Sequence, residues 1–338
     1  MKYGFRLFLS VVSTLVLTTA GLGLAACSST PLARYEETRQ SMGTFITVSL
    51  YARGEDAAGE AITAAFERIR QIEAAASIFD ENAEAYRLNQ QGIIAAPSGD
   101  LRRLIELSIE YGELTGGYFD ITVQPVLELW EAGLWQQSPE IQQQKVSEAL
   151  QLTGYERILV EQDSISLPET GMKITLGGIA KGYAADEALK ALKDIGIEHA
   201  LVNAGGDISA LGSKPDGSAW VVDLANPDDT SQRVASFELS DCSIATSGNY
   251  ERYFDPDKKA HHLLNPHTGY SSSECISVTI ITASGALSDT LATAVFVMGP
   301  AEGLEFINLT DGVEALIIDN DRVIHRSSGL ARFEASSD

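Results

Sequence analysis

From residue 200 onward the chain is cut into short β-branched runs, and this punctuation constrains the fold more than any other feature. Ala200–Asn203, Ile208–Leu211, Trp220–Leu224, Val234–Leu239, Ser277–Thr282 and Ala315–Asp319 are separated by Gly, Asn, Asp and Pro, the pattern of strands joined by turns. Upstream the period changes. Phe45–Tyr51 still alternates like a strand, but Ala57–Ala76 places Ile62, Ala65, Phe66, Ile69 and Ile72 at helical spacing. Leu101–Leu114 does the same with Leu101, Leu104, Ile105 and Ser108. A third helical stretch, Ile179–Ile195, stops at Gly196. Helices first and strands second predict an α+β architecture, with a mixed β-sheet and a helical lobe. No repeat or low-complexity linker interrupts the segment from 41 to 330, which reads as one domain.

The segment ahead of it is an address. Lys2 and Arg6 precede an apolar run, Leu7–Ala26, that ends Leu24-Ala25-Ala26-Cys27. A charged start, a short apolar stretch and small residues before a cut site describe a secretory signal, here residues 1–26. The Leu-Ala-Ala-Cys ending resembles the bacterial lipobox, whose cysteine is acylated and becomes the first mature residue. The competing reading is a membrane-spanning anchor, for which the run meets only the short end of the ~20 apolar residues required. Residues 27–40 then read as a lipid-attached polar tether. Two cysteines remain, Cys242 and Cys275, and an oxidising compartment allows either a disulfide or two buried thiols.

Charge excludes one class of partner. With 24 Lys+Arg against 47 Asp+Glu the formal net charge is −23, the opposite of a nucleic-acid footprint. Any anionic ligand therefore needs a positive field rebuilt locally, from a cation, a few basic side chains or aimed backbone N–H groups.

Several clusters could supply one. Gly177-Gly178-Ile179-Ala180-Lys181 opens the third helix; glycine before a helix start bares N–H groups to a phosphate, or simply makes a turn. Asn203-Ala204-Gly205-Gly206-Asp207 reads as a two-glycine hairpin. In Ser288-Asp289-Thr290-Leu291-Ala292-Thr293, Asp289 and Thr293 share one helix face. Their carboxylate and hydroxyl suit Mg²⁺ completed by substrate phosphates, against the plainer reading of an Asp N-cap beside a solvent-facing threonine. His261-His262-Leu263-Leu264-Asn265-Pro266-His267 reads as a strand entering an Asn-Pro turn, without the spacing or Cys partners of a zinc site. Gly116-Gly117-Tyr118-Phe119-Asp120-Ile121-Thr122 ends the second helix and opens something extended, its aromatics suited to a flat ring or a core edge.

Taken in order, these segments resemble the FAD:protein FMN transferase family, the ApbE family of flavin-transferring lipoproteins. The resemblance is carried by Ser41-Met42-Gly43-Thr44, Ser77-Ile78-Phe79-Asp80, Phe119-Asp120-Ile121-Thr122 and Leu176-Gly177-Gly178-Ile179-Ala180-Lys181-Gly182-Tyr183. It continues through Asn203–Asp207, Ser247-Gly248-Asn249-Tyr250, His262-Leu263-Leu264-Asn265-Pro266 and Ser288-Asp289.

The resemblance implies a T-fold-like domain that binds FAD as substrate with Mg²⁺ at its pyrophosphate. It implies transfer of FMN to a Thr or Ser hydroxyl of a partner protein, with release of AMP. The implied acceptors are subunits of Nqr/Rnf-type membrane redox complexes, or other proteins with an Asp-x-Ser/Thr-Gly-Ala-Thr-like motif that this chain itself lacks. Membrane attachment would run through lipidated Cys27, on the periplasmic side of a bacterial cell. Met42, Phe79, Tyr118, Phe119, Asp120, Lys181 and Leu263 match FAD-contacting positions, Phe79 where an aromatic stacks on the flavin. Asp289 and Thr293 match the Mg²⁺ side-chain ligands, with the Gly178 carbonyl as a third. Thr175 stands where the family often has Asp, leaving a hydroxyl for that FAD contact. His262, or Asp289 beside the metal, is the expected general base. The same features allow an FAD pyrophosphatase giving FMN and AMP, or a flavin-binding lipoprotein without turnover.

Overall fold

The computed structural model describes residues 31–255 and 259–335. The chain enters as a hairpin, β1 (Ala33–Ser41) and β2 (Thr44–Ala52), and continues into α1 (Glu55–Ala76) and α2 (Glu84–Gln91). A short strand β3 (Ile93–Ala95) leads to α3 (Gly99–Leu114), α4 (Gln124–Glu131) and α5 (Pro139–Leu150). The pair β4 (Leu159–Val160) and β5 (Ser164–Ser166) precedes α6 (Ala180–Asp194). Then come β6 (Ala200–Ala204), β7 (Asp207–Leu211), β8 (Trp220–Ala225), β9 (Arg233–Leu239) and β10 (Ser243–Gly248). The chain closes with β11 (Cys275–Thr282), α7 (Gly285–Met298), α8 (Pro300–Leu309), β12 (Glu314–Asp319) and β13 (Ile324–Arg326).

Eight strands make the main sheet in the order β1-β2-β6-β7-β10-β11-β12-β13. The architecture is α+β as expected, but every pairing in this sheet is antiparallel rather than mixed in direction. Hairpins and an α7–α8 excursion return the chain beside itself, so no parallel crossover is needed. The last eight residues of the expected tether, 33–40, lie instead in Ala33–Ser41, an edge strand paired along its length to β2. Its Arg34, Glu36, Glu37 and Arg39 look like tether residues because they lie on an exposed edge, where they pair with one another. The proposed signal segment and Cys27 lie outside the described residues.

The sheet is covered on both faces at β11 and β12. Val278, Ile280, Ala315 and Ile317 pack under α7 and α8, while Ile281, Leu316 and Ile318 point the other way, against the β8–β9 hairpin. That alternation is the two-residue period of a strand with both faces buried, and all eight residues of β11 are buried. Under β2 and β6 lies the apolar stripe of α1, with Ala65, Ile69 and Ile62, and the small-residue face of α6. Each fully buried Ile, Leu or Val side chain there contributes ~1.5–3 kcal/mol. A helical lobe built on α2 and α3 packs with β3, β5 and β4 against the start of α6.

Two further expectations change in detail. Ile121–Val123 is a turn of 3-10 helix leading into α4 rather than extended chain, because Asp120 accepts hydrogen bonds from Thr122 N and Oγ1 and caps it. Residues 261–269 form no strand; they make single bridges, Tyr253 to His261 and Leu264 to Ser271, the second closing a turn through Pro266 in which Asn265 N donates to the Tyr270 carbonyl at 2.8 Å. Cys242 and Cys275 are two buried, unbonded thiols.

Candidate functional site

Helix α7 begins at Ser284, whose hydroxyl caps Leu287 N, so Asp289 is not the cap but a residue of the second turn. There it is only 4% exposed. Its Oδ2 accepts the Gly182 N–H at 3.2 Å, from the first turn of α6. The two helices can meet because both contact residues are glycine: a Cβ on Gly182 would stand 2.0 Å from the Gly285 carbonyl oxygen. Asp186 locks the same crossing, accepting from Gly285 N at 2.7 Å and from the Ser284 and Ser209 hydroxyls. Burial raises its pKa, against those donors.

Asp207, first residue of β7 and itself buried, reaches the same corner and forms an ion pair with half-buried Lys181. Burial alone would depress the Lys181 ammonium, but Asp207 and Asp289 together hold it charged. Burial and the Asp207 charge push Asp289 upward in turn. Two carboxylates thus face one ammonium, a formal excess of one negative charge that the upward shift of Asp289 opposes.

Around this corner the glycine motif supplies oxygens. The Gly178 carbonyl accepts from Thr290 Oγ1 at 3.3 Å. Thr293 Oγ1, one helical turn beyond Asp289, lies 3.3 Å from Ser247 Oγ and would stand 3.0 Å from a Cβ placed on Gly178. Asp289, Thr293 and the Gly178 carbonyl are therefore brought together, and the solvent-facing threonine reading fails. Carboxylate, hydroxyl and carbonyl are hard oxygens of the kind Mg²⁺ takes, and that ion keeps waters and substrate phosphates in its remaining positions. Among the described residues no cluster of three or more His, Cys, Asp or Glu could hold a metal by itself. The residues fit a cation shared with a phosphate ligand.

The corner is one end of a cavity of about 760 Å³, ample for a dinucleotide-sized ligand. Its lining carries four carboxylates, Asp120, Asp223, Glu251 and Asp289, against Lys181 and Arg252. The lining is thus formally negative, and an anionic ligand there requires an added cation. Met42, Tyr118, Phe119 and Leu263 give the cavity apolar and aromatic surface. Tyr118 is fixed edge-on against His267 at 5.1 Å and donates to Glu302 at 3.0 Å. Met42 sits with Gly43 in the two-residue turn between β1 and β2, both at positive φ (52° and 72°). Such a conformation is costly for Met. Glu73 of α1 supports it, accepting from Met42 N at 2.7 Å and from the Ser41 hydroxyl at 2.6 Å.

Two expected contacts are differently placed. Asp120 lines the cavity, but its oxygens are taken by Thr122 and by Tyr155 N at 3.0 Å, so it shapes the wall beneath Phe119. Phe79 is not part of the lining; its ring stands 79% exposed beyond α1. Thr175 does line it, its hydroxyl accepting from Gly177 N at 3.3 Å.

The lining also carries His262. Its Nδ1 lies 3.2 Å from the Arg252 carbonyl, and a carbonyl can only accept. That assigns the proton to Nδ1 and leaves a lone pair on Nε2. Burial lowers its pKa to about 4, with the Arg252 carbonyl opposing and His261 adding to the fall. A neutral imidazole is therefore present at pH 7. His261 beside it is structural: Nε2 donates to the Ser272 carbonyl at 2.8 Å and Nδ1 accepts from Leu263 N at 3.3 Å.

Asp186, Glu73 and Arg252 carry no motif signal, while Asp207 and Ser247 stand inside quoted motifs without an expected site role. Asp207 falls inside the Asn203–Asp207 glycine cluster, whose hairpin reading is right: Gly205 and Gly206, both at positive φ, join Ala204 to Asp207. A carboxylate opening an otherwise apolar strand was its only signal.

Fold and cavity together define a class: a helix-backed antiparallel sheet with a cleft that is cation-ready at one end and aromatic at the other. The chain belongs to the ApbE family, whose model matches residues 42–317. It is similar to the FAD:protein FMN transferase of Treponema pallidum, 29% identical over 93% of each chain. The Klebsiella pneumoniae protein of the same name is 28% identical, over 85% of this chain and 90% of the relative. Among solved structures, the ApbE protein of Thermotoga maritima superposes with a TM-score of 0.80 at 31% identity, covering 90% of this chain and all of the other. The flavin transferase ApbE of Vibrio cholerae does so with a TM-score of 0.76 at 25% identity, over 90% and 100%.

Proposed function

We propose that this protein is an FAD:protein FMN transferase that moves the FMN half of FAD onto a Thr or Ser hydroxyl of a partner protein and releases AMP. The observation that carries the reading is the buried corner where Asp289, Thr293 and the Gly178 carbonyl converge beside the Lys181–Asp207 pair. In a formally negative cavity, this is the place where a pyrophosphate can be neutralised. Relatives across the chain's length carry the same name.

Asp289, Thr293 and the Gly178 carbonyl would hold Mg²⁺, which supplies positive charge to the pyrophosphate and to the departing phosphate oxygen. The protein's own groups do the rest. Lys181, kept charged by Asp207 and Asp289, adds a cation to the same end. Phe119, Met42, Tyr118 and Leu263 offer apolar surface to the flavin and adenine rings. His262 Nε2 takes the proton of the attacking hydroxyl, a contribution of ~10²–10⁴-fold for a positioned base. The hydroxyl oxygen bonds to the phosphorus on the FMN side, the bond from that phosphorus to the bridging oxygen breaks, and that oxygen leaves with AMP.

The acceptor in this reading is a redox subunit of the Nqr/Rnf type, or another protein with an Asp-x-Ser/Thr-Gly-Ala-Thr-like segment. Leu24-Ala25-Ala26-Cys27 would anchor the enzyme by lipid on the periplasmic side of a bacterial membrane. Among the described residues no helix is long and apolar enough to cross a membrane. Incubation with FAD, Mg²⁺ and such an acceptor, read by mass spectrometry, tests the proposal. An acceptor heavier by one FMN less water, with equimolar AMP, is expected; free FMN with an unmodified acceptor would make the protein a pyrophosphatase instead.

A further inference from the structure

The β8–β9 hairpin is a two-stranded sheet separate from the main one. One edge of β9 is covered by the end of the chain, where Glu238 N donates to the Phe333 carbonyl at 2.7 Å and Ala335 N to the Ser236 carbonyl at 2.8 Å. Residues 236 and 238 thus turn their backbone groups away from β8, so the alternate residues 237 and 239 turn theirs toward it. In the observed register Phe237 faces Val222 and Leu239 faces Trp220. Val221 and Asp223 must then point their N–H and C=O groups out of the far edge of β8. Among the described residues no hydrogen bond takes them.

That free edge borders the reaction cavity. Val222 and Leu224 project from one face of the strand and Asp223 and Ala225 from the other, yet all four line the same cavity. A cavity touched by residues of both faces meets the strand edge-on. The edge also lacks the usual protection. β1, an end strand of the main sheet, carries Arg34, Glu36, Glu37 and Arg39, whereas β8 reads Trp-Val-Val-Asp-Leu-Ala, with Val221 53% exposed and no Lys or Pro. Its one charge, Asp223, is turned to Ser236 and Arg233 of the neighbouring strand β9, and an edge otherwise apolar is a template for strand addition.

We infer that the free edge of β8, Trp220–Ala225, docks the acceptor polypeptide as an added extended strand that carries its hydroxyl side chain into the cavity. The inference rests on the transferase reading above. Main-chain bonds to Val221 and Asp223 supply affinity with little demand on acceptor sequence, and alternate acceptor side chains point into and out of the cavity. Transfer then proceeds as written above: the acceptor oxygen gains the FMN phosphorus, AMP departs, and His262 takes the proton.

The test uses the FAD-loaded full chain and synthetic peptides with Asp-x-Thr-Gly-Ala-Thr at their centre. A version with Val replacing the acceptor Thr should slow amide exchange at Val221 and Asp223 at least ~10-fold, leaving Val222 and Leu224 unchanged. Val221→Pro removes an outward N–H without touching the β8–β9 ladder, so the KM for the reactive peptide should rise at least ~10-fold at unaltered FAD affinity. FMN transfer with no protection at Val221 and Asp223 would overturn this inference alone. Loss of FAD affinity in Val221→Pro would assign the edge to FAD and overturn it too. Tight FAD binding without any FMN-peptide product would remove the transferase reading and this inference with it.

Discussion

On one side of the cavity α6 and α7 cross so closely that glycine faces glycine, and Asp186 ties the second helix's N-terminus to the first. The described residues between 249 and 272, which line the same cavity, contain no α-helix or named strand. They are held by turn and bridge hydrogen bonds rather than a continuous ladder, among them Phe254 N to the Ala260 carbonyl at 2.8 Å, His262 N to the Arg252 carbonyl at 3.3 Å, Asn265 N to the Tyr270 carbonyl at 2.8 Å and Ser272 N to the Leu263 carbonyl at 3.1 Å. The contrast follows the work each side is assigned. A cation site needs fixed oxygens, and helices packed through small residues give them; a base that must meet an incoming chain can sit on a loop positioned by that scaffold.

The contrast can be broken by substitution. Asp289→Ala removes the one carboxylate among the three proposed cation ligands, and FMN transfer should fall at least ~10³-fold, the scale of losing metal-centred charge stabilisation. A variant that kept wild-type AMP release would place the cation elsewhere. His262→Gln should cost ~10²-fold in turnover with FAD affinity retained, separating base from binding wall.

The loop side also makes a pH prediction. The folded pKa of His262 is lowered from 6.5 to about 4, so the base stays unprotonated well into acid. Turnover should remain level through pH 6.5 and fall only as the pH approaches 4; a limb at 6.5 would dismiss His262. Between those two values the unfolded chain binds more protons than the folded one, so the stability tied to this residue is lost as pH falls from 6.5 toward 4. Chemical denaturation at pH 7 and pH 5 in wild type and His262→Gln isolates that share.

Gly182→Ala sharpens the rigid side with a smaller effect. Its Cβ would meet the Gly285 carbonyl at 2.0 Å, so the helices must part, at ~1–3 kcal/mol as for other overpacked interiors. Thermal melting reads the loss of stability, and Mg²⁺-dependent activity should fall in step. An unchanged melting temperature would mean the crossing is looser than its geometry.

Much of this was legible beforehand, and the exceptions have physical causes. α1, α3 and α6 announce themselves because each buries one face, so Ile62, Phe66 and Ile69 keep the helical period. α2, α4 and α5 do not, being only 8, 8 and 12 residues long with two to four buried positions each. The sheet's strands were visible as β-branched runs, but their direction was not, since two-sided burial erases the alternation that separates antiparallel from parallel strands. At the site, Asp289, Thr293 and Gly178 could be paired by motif. Glu73 and Asp186 could not: each acts by accepting backbone N–H groups from a distant segment, Met42 in one case and Gly285 in the other. Nothing in the local sequence of a helix marks such a carboxylate. Phe79 shows the converse, a motif aromatic that the fold leaves on the surface.

Crystals soaked with FAD and Mn²⁺, measured at the manganese edge, test the cation corner most directly. An anomalous peak touching Asp289, Thr293 and the Gly178 carbonyl, and bridging to the FAD pyrophosphate, is the expected result. A pyrophosphate bound in the cavity with no metal at those three oxygens, or with the metal elsewhere, would contradict the account.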